Sequence, residues 1–380
     1  MNPSLILVGI SLLTWGMGEG MFLYFVPLYL EQLGAAPILI GTVYSAFGFA
    51  MLLTHIPAGY LSDRLGRRPL LRAAWIMGLV ATCVMALGPS LEIFIAGFVL
   101  YGVTGFVSSP LFSYVTAARG KLSAGRAMTL VSAMYNLGAV LGPVSGGWVG
   151  EHYNLRAIFA FSAILFAVST ALVLFLKPQP RDLNDDGTSS TRSLLANTRF
   201  LGYLGIVFFV MFAMYLPQTL TPNFLQAERG ITLSQMGTIG SVGNLGNVAF
   251  NLVLGQFSSG IGFALGQVCV GLFAFLIWKG TGQPWYIFGY FLMGGYRAAR
   301  MLAIAQVRML IHQSQMGLAY GMEEAGSSMA MILAPLLAGY MYGRDPASIY
   351  PLSLLLVTIG VVISLIFAPH DRHRVAKEVV

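Results

Sequence analysis

Apolar residues run along this chain in long blocks, each near the length a helix needs to cross a bilayer, with short polar breaks between them. A span takes about 20 helical residues. Blocks of that size fall at about 5–30, 37–61, 70–88, 91–117, 127–149 and 155–176, and again at about 200–226, 231–257, 261–278, 284–311, 316–342 and 348–368. The pattern predicts an all-α membrane protein with 12 transmembrane helices, and an even number of spans puts both termini on one side of the bilayer. The first block is too long for a cleaved leader and has no basic segment before it, so none is expected.

Composition supports that reading and narrows it. Charged residues make up 9% of the chain, hydrophobic residues 57%, and mean hydropathy is +0.76; soluble domains carry roughly 25% charged residues. A net charge of +7 therefore does not point to nucleic acid. With the N-terminus in the cytoplasm, 15 of the 21 Lys and Arg fall in cytoplasmic loops and the tail, which is the bias that orients membrane proteins. Cys83 and Cys269 both fall inside predicted spans, so no disulfide framework is expected.

The polar run 177–198 divides the chain. Expected domains are a six-helix bundle over 1–176, a cytoplasmic linker over 177–198, a second six-helix bundle over 199–369 and a cytoplasmic tail over 370–380. Within the linker, Asp182, Asn184, Asp186 and Gly187 match the opening of a calcium-binding loop. Ser193 stands where the bidentate glutamate belongs, so a solvated linker is the expectation. The two bundles are copies. A shift of 196 pairs Gly34 with Gly230, Gly41 with Gly237 and Ser45 with Ser241; a shift of 192 pairs Pro143 with Pro335 and Gly147 with Gly339.

One break between spans is dense in charge: Gly59, Asp63, Arg64, Gly66, Arg67 and Arg68 read G-x-x-x-D-R-x-G-R-R. So much charge belongs at the membrane surface, in a short loop between two spans. The run resembles the signature loop of the major facilitator superfamily at every specified position. That resemblance implies the major facilitator fold: two six-helix pseudo-symmetric bundles, alternating access, and a site between the bundles at the bilayer midplane. It also implies that this loop latches the cytoplasmic gate. The second copy reads GQFSSGIG, with Ser259 and Gly260 in place of Asp63 and Arg64, so whatever the charges do is done in one bundle only.

Gly138, Gly142, Pro143, Gly146 and Gly147 form a second motif, GAVLGPVSGG. Four-residue spacing puts small residues on one helix face, where another backbone can approach, and the proline invites a bend. It is similar to the antiporter motif of drug-exporting facilitators. Those exporters also carry an arginine in the fourth span, where this chain has Phe98. If protons drive this protein, the coupling group lies elsewhere.

Five ionisable residues lie well inside the predicted spans: Glu19, Arg297, Arg300, Glu323 and Glu324. Each needs a partner or a water-filled cavity. Glu19 and Arg297 are both roughly 21–22 Å deep by helical rise, near the midplane. A carboxylate in such surroundings exchanges its proton nearer neutral pH than one in water. Arg297 keeps its charge and serves to displace that proton or to hold an anion; the plainer alternative is a permanent Glu19–Arg297 brace. Arg300 with Glu323 or Glu324 reads as an ion-pair or gating element. Trp15 and Tyr215, which occupies the repeat slot of Glu19, are the expected aromatic lining. Asn244, Asn247 and Asn251 form a polar stripe at helical spacing.

No nucleotide-binding loop, nucleophile constellation or metal-ligand set occurs, so an enzyme is not expected, and neither is a cofactor. The expected function is secondary active transport: proton-coupled export of a small hydrophobic or cationic organic compound, from a monomer in the inner (plasma) membrane. Two rivals stand beside it. One is uptake or exchange of a small organic anion bound by Arg297 and Arg300; the other is a non-transporting receptor or scaffold.

Overall fold

The computed structural model describes residues 2–65, 67–177, 197–311 and 316–369, without the side chains of 55–65, 108–109, 124–125 and 316–318. Among the described residues, nine helices are long and apolar enough to cross a membrane alone, and a tenth span forms if the pair bent by 43° over 91–118 counts as one. Gly59, Asp63 and Arg64 have only their backbone described. Gly66, the calcium-like stretch 182–193 and the tail from 370 lie outside the described residues.

The chain divides into two compact units, 1–184 with 222–244, and 185–221 with 245–380. The first contains α1 (Pro3–Leu23), α2 (Val26–Gln32), α3 (Pro37–Leu65), α4 (Arg67–Leu87) and α5 (Leu91–Val103). A 3₁₀ turn (Thr104–Val107) then leads to α6 (Ser108–Ala118), α7 (Ala124–His152) and α8 (Leu155–Leu174). Most of α10 (Thr221–Arg229) and the first half of α11 (Leu233–Leu254) also belong here. The second unit contains α9 (Thr198–Tyr215), the rest of α11, α12 (Ser259–Lys279), α13 (Gln283–Met293), α14 (Gly295–Val307), α15 (Met316–Tyr342) and α16 (Ile349–Phe367). The charged run read as a loop is instead largely helical: α3 continues to Leu65 and α4 resumes at Arg67. A helix satisfies its backbone internally wherever it sits, so it can extend past the apolar block into the interface.

In the first unit α1 packs on α7 and α8, and glycines set the distance. A Cβ at Gly138, Gly142 or Gly146 would overlap the carbonyls of Leu13, Met17 and Met21 in turn; from the other side, one at Gly16 or Gly20 would meet those of Tyr135 and Ala139. The two backbones are in contact because no side chain separates them. Deeper in, the Trp75 indole N–H lies 2.8 Å from both Ser11 Oγ and Ser169 Oγ, which are 2.9 Å apart. All three groups are buried and mutually satisfied, as a dry interior requires.

Pro143 shapes the adjoining face of α7. Lacking an N–H, it cannot bond the carbonyl four residues back. That carbonyl, Ala139, accepts instead from the Asn244 side chain at 2.6 Å. Ser241 Oγ donates to Val140 O at 2.6 Å and accepts from Val144 N at 3.2 Å. Gly147 and Gly237 meet backbone to backbone beside these bonds. The first asparagine of the polar stripe therefore fills the vacancy that a proline makes.

The breaks in the helices repeat as the sequence does. α1 gives way to α2 at Tyr24–Phe25, and α9 gives way to α10 after Tyr215. α5 passes through its 3₁₀ turn to α6, and α13 joins α14 through Gly294. Pro27 and Pro217 stand at the first pair of breaks. Gly34 and Gly230, partners under the 196-residue shift, both adopt positive φ (92° and 64°), ending α2 and α10 in the left-handed region that glycine reaches without strain.

In the second unit α12 packs on α14 and α16, and α9 on α15 and α16. Gly266 and Gly295 let α12 and α14 approach closely. Leu87, Phe175 and Phe367, each at least 70% exposed, show the apolar outer surface a membrane helix presents to lipid.

Candidate functional site

Glu19 lies in the last turns of α1, five residues before the break at Tyr24. The Tyr135 hydroxyl on α7 donates to Glu19 Oε2 at 2.9 Å. Tyr101 on α5 lies against Glu19, Tyr135 and Trp15. Behind the carboxylate is an aromatic cluster. Trp15 is 4.5 Å from Phe166, 4.9 Å from Trp75 and stacked on Tyr101 at 6.1 Å; Phe22 meets Tyr101 edge-on at 5.1 Å. Trp15, Phe22, Tyr101 and Phe166 are buried, whereas Glu19 and Tyr135 are only half-buried. The half-buried carboxylate thus sits beside the buried cluster, bonded to the Tyr135 hydroxyl and next to Tyr101. Such a group can hold a proton, or a cation that also meets aromatic faces.

The second unit gathers the other charges. Tyr215 ends α9 with its ring 5.6 Å from that of Tyr296, and both tyrosines feel the charges of Arg297 and Arg300. Arg300 Nη2 is bonded to Glu324 Oε1 as an ion pair, and Arg297, one turn earlier on α14, is exposed. Glu323 is fully buried, with Ser327 Oγ donating to its Oε1 at 3.0 Å.

Glu19 and Trp15 therefore share the first unit, and Tyr215, Arg297, Arg300, Glu323 and Glu324 share the second. Phe98 is buried and stacked on Phe47 at 4.7 Å, an apolar contact where an arginine is absent. Arg67 borders a cleft with Arg119, Ser113, Thr116 and Phe112, and Arg68 is half-buried. Tyr101 and Tyr135 were not among the residues the sequence singled out. Their signal lay in position: Tyr135 falls one turn before the first motif glycine, on the face that meets α1. Among the described residues no cluster of three or more His, Cys, Asp or Glu could hold a metal ion.

A family model described as Major Facilitator Superfamily matches residues 8–296. The chain belongs to the major facilitator superfamily. It is a multi-pass membrane transporter and not an enzyme, with the all-α fold of two pseudo-symmetric six-helix bundles. It is similar to Multidrug resistance protein 2 of Bacillus subtilis (strain 168), 21% identical over 344 residues, 86% of this chain and 85% of that protein. It is also similar to Quinolone resistance protein NorA of Staphylococcus aureus (strain COL), 22% identical over 395 residues, 97% of this chain and 98% of that one. Tetracycline resistance protein, class C, of Escherichia coli is 32% identical over 136 residues, 36% of this chain and about a third (34%) of that protein's length. Among solved structures, a variant of the nucleoside transporter NupG superimposes with a TM-score of 0.83 at 16% identity, covering 96% of this chain and 99% of that one. The D-xylose-proton symporter gives 0.74 at 14% identity, covering 97% and 98%. At these identities the structures speak for the fold alone.

Proposed function

We propose that this facilitator exports a small hydrophobic or cationic organic compound in exchange for protons, by alternating access, as a monomer in the plasma membrane with both termini cytoplasmic. The observation that carries this reading is Glu19: a carboxylate held by Tyr135 beside an aromatic cluster, near a break in its helix. Ionised, it accepts from the hydroxyl and attracts a cation, whose apolar parts rest on the rings. Protonated, it no longer attracts the cation. A proton and an organic cation competing for one carboxylate is the minimal requirement of an antiporter. The resistance proteins it resembles over most of their length favour export.

In this reading the chain divides at 177–198 as its composition suggests, and the run from Gly59 to Arg68 latches the cytoplasmic side. Tyr215 and Trp15 are assigned to the substrate lining, and Arg297 is the fixed cation that biases the carboxylate chemistry. The glycines and proline of GAVLGPVSGG form the seam against which α1 and the 233–244 stretch pack during the cycle. The test uses proteoliposomes with an imposed pH gradient and two probes, ethidium and tetraphenylphosphonium. The native protein moves at least one of them against its gradient, and Glu19→Gln abolishes that proton-driven flux. Equal flux in the two proteins ends the proposal.

Uptake or exchange of an organic anion is the second reading, and the exposed Arg297 is what favours it. Arg300 is a weaker anion site, since Glu324 already neutralises it.

A further inference from the structure

We propose that Glu323 is a second proton-binding site of the transport cycle, with Arg300 as its switch partner, leaving Glu324 for Glu323 when the proton departs. The inference rests on the reading of the protein as proton-coupled, but it concerns a different carboxylate in the other unit, and its test reads the proton itself.

Two adjacent carboxylates on α15 face one guanidinium on α14. Glu324 takes it; the Glu324 side chain is 36% exposed. Glu323 is 0% exposed, and only its Oε1 is bonded, to Ser327 one turn along. Glu323 Oε2 is buried with no hydrogen-bond partner, and so is Arg300 Nε. An acceptor and a donor of complementary charge thus stand unsatisfied in one cluster. Buried groups kept only for structure are normally bonded to completion.

Among the described residues, the titratable groups facing Glu323 are few. They are Tyr203 on α9, Tyr296 and Arg300 on α14, and Glu324 on its own helix. Tyr203 is occupied, donating to Ala303 O at 2.7 Å, and the buried Tyr296 hydroxyl has no partner. The one titratable side chain of α16, Tyr350, is 3.1 Å from Thr221 and far along the helix pair from Glu323. Arg300 is therefore the cation available to an ionised Glu323.

The asymmetry between the two acids gives the switch its direction. The Glu324 side chain is partly exposed and Glu323 is fully buried, so without Arg300 a lone charge on Glu323 is the more strongly disfavoured of the two. Glu323 is therefore neutral while Arg300 serves Glu324. When its O–H bond breaks and the proton leaves to water, the new carboxylate draws Arg300 across. Arg300 lies six residues after the break at Gly294, where α14 begins, and a Cβ at Gly326 on α15 would meet nothing within 4 Å, so neither helix is tightly filled at these points.

The experiment is infrared difference spectroscopy of the full-length protein in lipid nanodiscs during a pH titration. A protonated-carboxyl C=O band that fades as pH rises is expected. Glu323→Gln removes it. Glu324→Gln, which frees Arg300 to neutralise Glu323, weakens it at every pH. Glu19→Gln leaves it in place, so failure of the Glu19 proposal and failure of this one are separate results. Should Glu323→Gln not accumulate, Ser327→Ala takes its place: losing the donor to Oε1 shifts the band's frequency. Glu19 contributes a carboxyl band of its own, so the Glu323 variants are read in the Glu19→Gln background; a band there that persists in Glu323→Gln, ignores Ser327→Ala, or stays constant across the titration overturns the proposal.

Discussion

Tyr135 and Glu19 are hydrogen-bonded at 2.9 Å across a seam in which two helix backbones touch. The bond exists because the seam does. Gly138, Gly142 and Gly146 bring α7 onto the carbonyls of Leu13, Met17 and Met21, and Gly16 receives the carbonyl of Tyr135 itself. At any wider helix separation the phenol would fall short of the carboxylate. A motif that looks like packing thus also positions a proton-bearing group.

Tyr135→Phe keeps the ring and removes the donor. A hydrogen bond to a charged group contributes about 1.5–3 kcal/mol, so proton-driven tetraphenylphosphonium flux should fall by about tenfold or more while the protein still folds. Flux against a stepped pH gradient and a melting curve, measured on one preparation, check both halves.

Gly142→Ala should be destabilising by about 1–3 kcal/mol, the usual effect of forcing atoms into a filled interface. The added methyl meets the Met17 carbonyl and cannot be relieved by turning a side chain. Gly202→Ala on α9 is the matched control, since its Cβ meets nothing within 4 Å, and helix propensity favours it by about 1 kcal/mol. Thermal denaturation in detergent should separate the two in opposite directions.

How much of this was legible beforehand depended on the length scale of each feature. Membrane spans were, because about 20 apolar residues in a row have few other uses. The duplication was as well, through paired glycines and prolines such as Pro143 and Pro335. The breaks after Leu23 and Tyr215 were not, because Pro27 and Pro217 sit inside blocks that read as continuous. Tyr101 and Tyr135 were missed for another reason: a tyrosine among many aromatics has no distinguishing spacing, and Glu19 lies 116 positions from Tyr135. Periodicity shows which residues share a helix face, and it does not show which helix that face will meet.

Asn244 and Pro143 should be energetically coupled. Asn244→Ala leaves Ala139 O, exposed by the proline, without its donor, a loss of about 1–3 kcal/mol for a buried acceptor. Pro143→Ala restores an N–H that can return to Ala139 O within α7. On that background Asn244→Ala should have little effect. A double-mutant cycle on melting temperature measures the difference, and strict additivity would refute the arrangement.

Arg297→Ala separates the two transport readings. If the substrate is an organic anion, removing an exposed guanidinium that pairs readily with carboxylates should lower affinity for a panel of them by at least tenfold. If the substrate is a cation that competes with protons at Glu19, anion affinity is negligible in both proteins. The variant then changes only the pH at which ethidium or tetraphenylphosphonium flux is half-maximal. Arg300→Ala is the companion measurement, because its guanidinium is held by Glu324 and removing it perturbs an ion pair before it perturbs any ligand. Equilibrium binding of radiolabelled carboxylates to the purified variants, run beside the flux assay, gives a decisive pattern: anion binding by the native protein that is lost in Arg297→Ala favours the anion reading, and negligible anion binding in both proteins with a shifted pH of half-maximal cation flux in the variant favours proton-coupled export.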